Sequence, residues 1–215
     1  KAKPAENVSL KKSLGLLKYP ALILFSIVLF FESGFEGCSG SFTVQFFSNT
    51  TPMGEKAATL AMTWFTIGMM AGRFPLGAIT RKLKELGTLY TYLSVALVGV
   101  VVFMLCNGPV GAYVAMTLIG FGVGATYPVV LNYIGAMRPN FIAVDALASK
   151  DPAKRTAMSI SIFIALLGQF TFNKVTGVAF GKEVFATLPA LMITAVVAMM
   201  CIVPFARRFS KKETK

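Results

Sequence analysis

Residues 19–47 read YPALILFSIVLFFESGFEGCSGSFTVQFF, a run long and apolar enough to cross a bilayer as a helix. A helix needs about 20 residues to cross the hydrocarbon core, and this run exceeds that length. Two carboxylates, Glu32 and Glu36, interrupt the run near its middle. Ionisable groups at such depth are costly and usually functional. The stretch therefore predicts a membrane fold with a polar site inside it.

Five further runs share this length and apolar character. Together with the first they predict six transmembrane helices over residues 19–47, 56–80, 86–106, 109–137, 155–179 and 184–206. The composition agrees, because 55% of the 215 residues are hydrophobic and only 14% are charged, against about 25% in soluble domains. We therefore predict an all-α membrane protein whose main partner is the lipid bilayer.

The basic residues indicate an orientation. Most of the 21 Lys and Arg residues lie within residues 1–18, 81–84, 138–155 and 207–215, on one side of the predicted helices. By the positive-inside rule both termini are cytoplasmic, in an inner (plasma) membrane. Residues 1–18 are interpreted as a basic linker, 19–207 as the transmembrane domain and 208–215 as a basic tail. Orientation explains the net charge of +12, so no nucleic-acid partner is predicted.

The polarity of the six predicted helices repeats after three. The first, second, fourth and fifth carry polar residues, whereas the third and sixth are nearly apolar. An odd number of spans turns the second triplet upside down, which predicts two inverted three-helix repeats of the kind found in secondary transporters. The four polar helices are expected to border a cavity, with the third and sixth outside.

Glu32 and Glu36 are the strongest candidates for chemistry. They lie four residues apart and share a helix face, where burial and mutual repulsion both favour the neutral carboxyl. The functional interpretation is a proton-coupling or hydroxyl-binding site, with Glu36 preferred. The structural alternative is protonated glutamates hydrogen-bonded within the bundle. A proton is the expected coupling ion, and no cofactor is predicted.

Other polar residues are candidate solute contacts. Gln169 and Asn173 share a face, and their amides suit a polyhydroxylated solute, although interhelical hydrogen bonds would also explain them. Trp64 can stack on a sugar ring or lie in an interfacial aromatic belt. Lys174 can pair with Glu36 or extend towards the membrane surface. The remaining candidates are Gln45, Tyr127 and Asn132.

A second group of residues is interpreted as structural or gating. Arg73 falls towards the cytoplasmic end of the second helix, where we expect it to pair with an acid and close that side, unless it only extends to the surface. The candidate acids are Glu85, Asp145 and Asp151. Small residues and a proline are expected to allow close helix approach and bending, namely Gly72, Gly120, Gly124 and Pro128.

The sequence gives little support for metal binding or catalysis. The three cysteines, Cys38, Cys106 and Cys201, are widely spaced, and the chain contains no histidine. No zinc site or disulfide framework is therefore predicted. No Ser or Cys has a polar partner at a suggestive spacing, so the protein is not expected to be an enzyme.

Three segments carry a resemblance to a family. Residues 34–47, GFEGCSGSFTVQFF, resemble the seventh helix of the fucose permease and glucose/galactose transporter family of the major facilitator superfamily. Residues 68–74, GMMAGRF, are similar to its eighth helix, and residues 120–128 to its tenth. The resemblance implies the C-terminal six-helix half of that fold and proton-coupled sugar uptake. It also implies that Glu36 and Gln45 face the cavity and that Arg73 is a structural gate.

The leading hypothesis is half of a secondary active transporter, with proton-coupled symport of a sugar or similar small polar solute by alternating access. An N-terminal six-helix half, in the same polypeptide or a paired chain, is the expected partner. One alternative is an organic-anion or peptidoglycan-fragment transporter that uses Lys174 and Arg73 as counter-ions. Another is a transport-inactive scaffold or receptor with the same fold.

Overall fold

The computed structural model describes residues 19–136 and 152–213, and these form helices joined by short connections. In chain order the helices are α1 (Pro20–Thr50), α2 (Glu55–Arg73), α3 (Leu76–Leu105), α4 (Pro109–Ala136), α5 (Pro152–Phe180) and α6 (Thr187–Glu213). The described residues contain no strand, so the predicted all-α class is confirmed for them. The proposed linker at 1–18 and the residues 137–151 lie outside the described residues.

Five of these helices are long and apolar enough to cross a membrane, which makes the chain a multi-pass membrane protein. They are α1, α3, α4, α5 and α6. The exception among the described helices is α2, which has 19 residues, begins at Glu55 and ends at Arg73. Six spans were predicted, and five helices have the length and composition of a span.

The boundary between α2 and α3 differs from the prediction. The second span was expected to continue to residue 80, but α2 ends at Arg73 and α3 begins at Leu76. Pro75 lies between them and has no N–H with which to continue the helical hydrogen bonds. Residues 76–80 therefore belong to α3.

The backbone of α3 breaks once, at Lys84, where φ is 58° and ψ is 173°. Such angles are unusual for a residue with a side chain, because the Cβ crowds the backbone. The part of α3 that follows Lys84 corresponds to the span predicted at 86–106. The part before it carries Arg81 and Lys82 in a short helical segment where a loop was expected.

Helices α1 and α4 form the centre of the fold. In both, 61% of the apolar window is buried, against 28% to 44% in α3, α5 and α6. Helix α1 packs most extensively on α5 and α6, and α4 packs most extensively on α2 and α3. A smaller contact joins α1 to α4, and another joins α3 to α6.

Glycines set the close approach of α2 to α4. A Cβ added at Gly120 would meet Phe65 O, and one at Gly124 would meet Met69 O. From the other side, a Cβ at Gly68 would meet the Thr117 carbonyl. Since the obstacles are backbone atoms, the two helices touch without intervening side chains, as small residues spaced by four allow in membrane helix pairs.

The α1–α5 pair has one glycine of the same kind and a buried hydrogen bond. A Cβ at Gly168 would meet Phe30 O on α1. Ser26 lies one turn before Phe30 on α1, and Ser161 lies two turns before Gly168 on α5. Their buried hydroxyl oxygens are 2.8 Å apart. Each hydroxyl also has a backbone carbonyl partner in its own helix, at Leu22 and Ala157 respectively.

Replacing Ser161 with alanine is expected to lower the free energy of unfolding by only about 0.6 kcal/mol, the average for interhelical hydrogen bonds in membranes. The effect is small because Ser26 keeps its bond to Leu22 O. Unfolding in mixed detergent micelles measures the difference, with Thr171→Ala on the same helix as the exposed control. A loss above about 2 kcal/mol would contradict this assignment, since it would exceed the range of such bonds.

The last helix is longer than expected. Helix α6 continues to Glu213, so the residues assigned from 208 onward to a basic tail are helical as far as the described residues extend. Arg207 and Arg208 are exposed on this helix. Exposed basic residues at the end of α6 agree with the positive-inside pattern from which the orientation was predicted.

Candidate functional site

The two glutamates lie on the central helix α1, one helical turn apart. Glu32 is 1% exposed and Glu36 is half-buried. The Ser33 hydroxyl donates to Glu32 Oε2 at 3.3 Å, a long contact. The other oxygen, Oε1, is buried and receives no hydrogen bond from a fixed donor. An unmet acceptor in the protein interior is unusual and calls for a specific partner.

The nearest available partner of Glu32 is the carboxyl of Glu36. The two side chains are close enough to form a hydrogen bond with each other. Two carboxylates have no donor between them, so a bond between them forms only when at least one of the two carries a proton. The arrangement can therefore hold and release a proton inside the helix bundle.

Two residues from neighbouring helices complete the site. The guanidinium of Arg73, on α2, interacts electrostatically with both glutamates. Tyr127, on α4, is half-buried and lies within electrostatic range of the same two carboxyls. We call these five residues, Ser33 included, the carboxyl site. It forms where α1, α2 and α4 meet.

Arg73 has a different partner from the one expected. Its Nε donates to Gly124 O on α4 at 2.9 Å. No ion pair joins Arg73 to Glu85 or to another acid within the described part of the chain. The other two candidate acids, Asp145 and Asp151, lie outside the described residues. The expected lock on the cytoplasmic side is therefore absent from what the structure describes.

A hydrogen bond and an aromatic pair hold the end of α2 that carries Arg73. The Tyr92 hydroxyl, buried on α3, donates to Gly72 O at 2.6 Å. The ring of Tyr92 stacks on Phe121 of α4, with centroids 5.3 Å apart and an interplanar angle of 11°. These contacts hold Gly72 in place. The direction in which the Arg73 side chain leaves α2 is therefore set by packing.

One amide residue of α5, Gln169, lies against α1. The side chain of Gln169 is exposed at its end but packs on Gly37, where an added Cβ would be 2.5 Å from Gln169 Cγ. Asn173 Oδ1 and Thr176 Oγ1 are buried without a hydrogen-bond partner. These two groups retain hydrogen-bonding capacity that the fold does not use.

Four other predicted contacts, all among the described residues, form no hydrogen bond or ion pair with the carboxyl site. Trp64 stacks on Tyr113 across the α2–α4 pair, with ring centroids 6.3 Å apart. Lys174 is exposed and forms no ion pair with Glu36. With Lys182 it lines an open groove of about 430 Å³ on the outer surface of α5. Gln45 and Asn132 are exposed.

The described residues contain no group of three or more His, Cys, Asp or Glu side chains that could hold a metal ion. The cysteines are unpaired, with Cys38 buried and Cys201 exposed.

Sequence reasoning found the glutamates but not how the site is assembled. The Ser33 contact could have been anticipated, because a hydroxyl beside a buried carboxylate is an obvious donor. The acceptor of Arg73 also had a signal in the sequence. A proline inside a helix leaves the carbonyl four residues earlier without its N–H partner, and four residues before Pro128 stands Gly124.

Comparison with known proteins assigns no family to this chain. No model of a known protein family matches the sequence, and a comparison with curated proteins finds no match. The resemblance to the fucose permease family therefore rests only on residues 34–47, 68–74 and 120–128. It stays a prediction, whereas the helical fold and the carboxyl site are described directly.

Proposed function

We propose that this chain is one six-helix half of a secondary active transporter that couples proton movement to the passage of a small polar solute. The observation that carries the proposal is the Glu32–Glu36 pair, which lies inside a membrane-spanning helix with one unmet carboxyl oxygen. Ionisable pairs in this position are characteristic of proton relays in pumps and transporters. A sugar or sugar-like solute is the class that the neighbouring amides suit.

The pairing of helices supports an inverted repeat, which is the architecture we propose. An inverted repeat would make α1, α2 and α3 equivalent to α4, α5 and α6. Under this equivalence the α1–α5 contact corresponds to the α4–α2 contact, and the α1–α6 contact corresponds to the α4–α3 contact. These are the four most extensive contacts in the fold. Two inverted three-helix repeats in one six-helix half are the pattern of major facilitator transporters.

Helix α2 supports the presence of a second half. Its exposed surface carries Thr59, Thr63 and Thr66, which share one face by their spacing. The hydroxyls of Thr59 and Thr66 donate to carbonyls of α2 itself, so it is the charged ends of the helix, Glu55 and Arg73, that make it poorly suited to lipid. We infer that α2 is the sixth span and that its threonine face lines a cavity closed by an N-terminal half.

In this mechanism the carboxyl site binds a proton when the cavity is open to one side and releases it to the other. Glu36 is half-buried and is the carboxyl that water or solute reaches first. Glu32, fully buried, keeps the shared proton from leaving by another route. A solute that binds differently to the protonated and deprotonated states shifts the balance between outward and inward conformations.

The proposal is tested by solute-driven proton movement in proteoliposomes. The complete protein, with the second half, is expected to alkalinise the external medium when the right polar solute is added. The isolated 215-residue chain is expected to give no flux above that of empty vesicles, because it supplies only one wall of the cavity. Proton-independent flux, or no flux with any sugar, amino sugar or organic anion from a properly folded protein, would count against the proposal.

A further inference from the structure

Arg73 supplies a hydrogen bond that α4 itself cannot make. In an α-helix the carbonyl of residue 124 would accept from the N–H of residue 128. Residue 128 is a proline and has no N–H. The Nε of Arg73 donates to this carbonyl instead, at 2.9 Å. Gly124 makes the contact possible, because it has no Cβ to hold α2 away.

The same guanidinium lies within electrostatic range of Glu32 and Glu36, yet it forms no ion pair with either in this structure. The other titratable group beside the two carboxyls is Tyr127 of α4. Among the described residues, α5 and α6 contribute no titratable side chain that acts on them. Arg73 is thus the one cation of the described structure that faces this pair.

We propose that Arg73 is a positioning residue with two alternative partners, the Gly124 carbonyl and the Glu32–Glu36 pair, and that it transmits the charge of α1 to the proline bend of α4. While both carboxyls are protonated and the pair is uncharged, the guanidinium stays on the carbonyl. When a carboxyl O–H breaks and the proton leaves to water in the cavity, the carboxylate attracts the guanidinium.

The direction of this exchange follows from the strength of the two bonds. A guanidinium bound to a carboxylate forms a charge-assisted and often bidentate contact, which is stronger than a bond to a neutral carbonyl. Once Arg73 leaves, Gly124 O has no partner, and the segment before Pro128 loses the bond that ties it to α2. Sharp kinks in helices occur mostly at proline, so Pro128 is the point at which α4 can bend.

This inference deepens the proposed proton-coupled function, on which its physiological use rests. The test below needs neither solute nor the second half. A carrier that fails to move protons would overturn the proposed function alone, while a guanidinium that does not change partners would overturn this inference alone.

Solid-state NMR on the chain in lipid bilayers tests the exchange directly. Arginine is labelled with ¹⁵N at Nε and glycine with ¹³C at the carbonyl, so dipolar dephasing reports the Arg73–Gly124 contact. Arg81→Lys is used as the background, because Arg81 Nε also lies near a glycine carbonyl, that of Gly77 at 3.2 Å. We expect the contact at low pH and the loss of most of its signal at high pH.

The matched variant carries Glu32→Gln and Glu36→Gln together, which keeps side-chain size and removes the charge. In it the Arg73–Gly124 contact is expected to persist at high pH. Equal signals at both pH values in the parent chain would overturn the inference. So would the absence of signal at either pH, or a loss at high pH that remains in the double variant.

A double-mutant cycle tests the role of the proline independently. Pro128→Ala restores an N–H at residue 128, so Gly124 O no longer depends on Arg73. The drop in Tm caused by Arg73→Met should therefore be much smaller with Ala at 128 than with Pro. Pro204, inside α6, gives the matched control, because Arg73→Met and Pro204→Ala should be additive. Additivity in both cycles would overturn the inference.

Discussion

Glu36→Gln in the complete protein is expected to abolish proton-driven accumulation of solute while leaving exchange of solute across the membrane intact. Glutamine keeps the size of the side chain and a hydrogen bond to Glu32, but it cannot release a proton. A gradient of one pH unit can sustain about tenfold accumulation per proton, since about 1.4 kcal/mol corresponds to a factor of ten. The variant should reach equal concentrations on both sides.

The measurement is uptake of labelled solute into proteoliposomes with an imposed pH gradient, followed by counterflow without one. Glu183→Gln is the matched control, because Glu183 is an exposed carboxylate in the connection between α5 and α6. It should accumulate solute as the parent does. A Glu36→Gln protein that still concentrates solute with unchanged dependence on the gradient would remove this residue from the coupling role.

Gly120→Ala is expected to destabilise the fold strongly for so small a change. The added Cβ would meet Phe65 O and would lie 2.9 Å from Met69 N and 3.0 Å from Phe65 C. These are backbone atoms of α2 and cannot rotate away, so the two helices must separate. Forcing one methyl group into a packed contact typically costs 1–3 kcal/mol, and we expect about the upper value here.

Gly40→Ala is the control for Gly120→Ala, and it is not expected to destabilise the fold. Gly40 lies inside α1, and no atom lies within 4 Å of a Cβ built there. Alanine is a better helix former than glycine by about 0.8–1.0 kcal/mol, so this variant should be as stable as the parent or more stable. Thermal unfolding followed by circular dichroism in detergent compares the two. If both variants unfold at the same temperature, the close α2–α4 contact is not a determinant of stability.

The positions of most helices could be predicted because crossing a bilayer constrains length and composition directly. The apolar runs of α1 and α4 have clear ends, and their predicted limits differ from the structure by at most three residues at either end. The boundary after Arg73 was missed because the apolar character continues through Pro75. The backbone geometry of proline, rather than hydropathy, ends α2.

The glutamates could be identified from the sequence because a carboxylate in an apolar run is conspicuous. The contacts of the site could not, since they depend on which faces of three helices meet. Those faces are selected by glycines such as Gly68 and Gly120, whose effect appears only when two helices are placed together. Charge alone suggested an acidic partner for Arg73, whereas among the described residues its Nε donates to a backbone carbonyl.

The stacking of Trp64 on Tyr113 gives the protein an optical reporter of its own. The chain contains a single tryptophan, and its ring lies between α2 and α4 at an angle of 24° to the tyrosine. Its emission is therefore sensitive to any movement that separates these two helices. Fluorescence of the unlabelled protein can follow such motion in real time, without introduced cysteines or dyes.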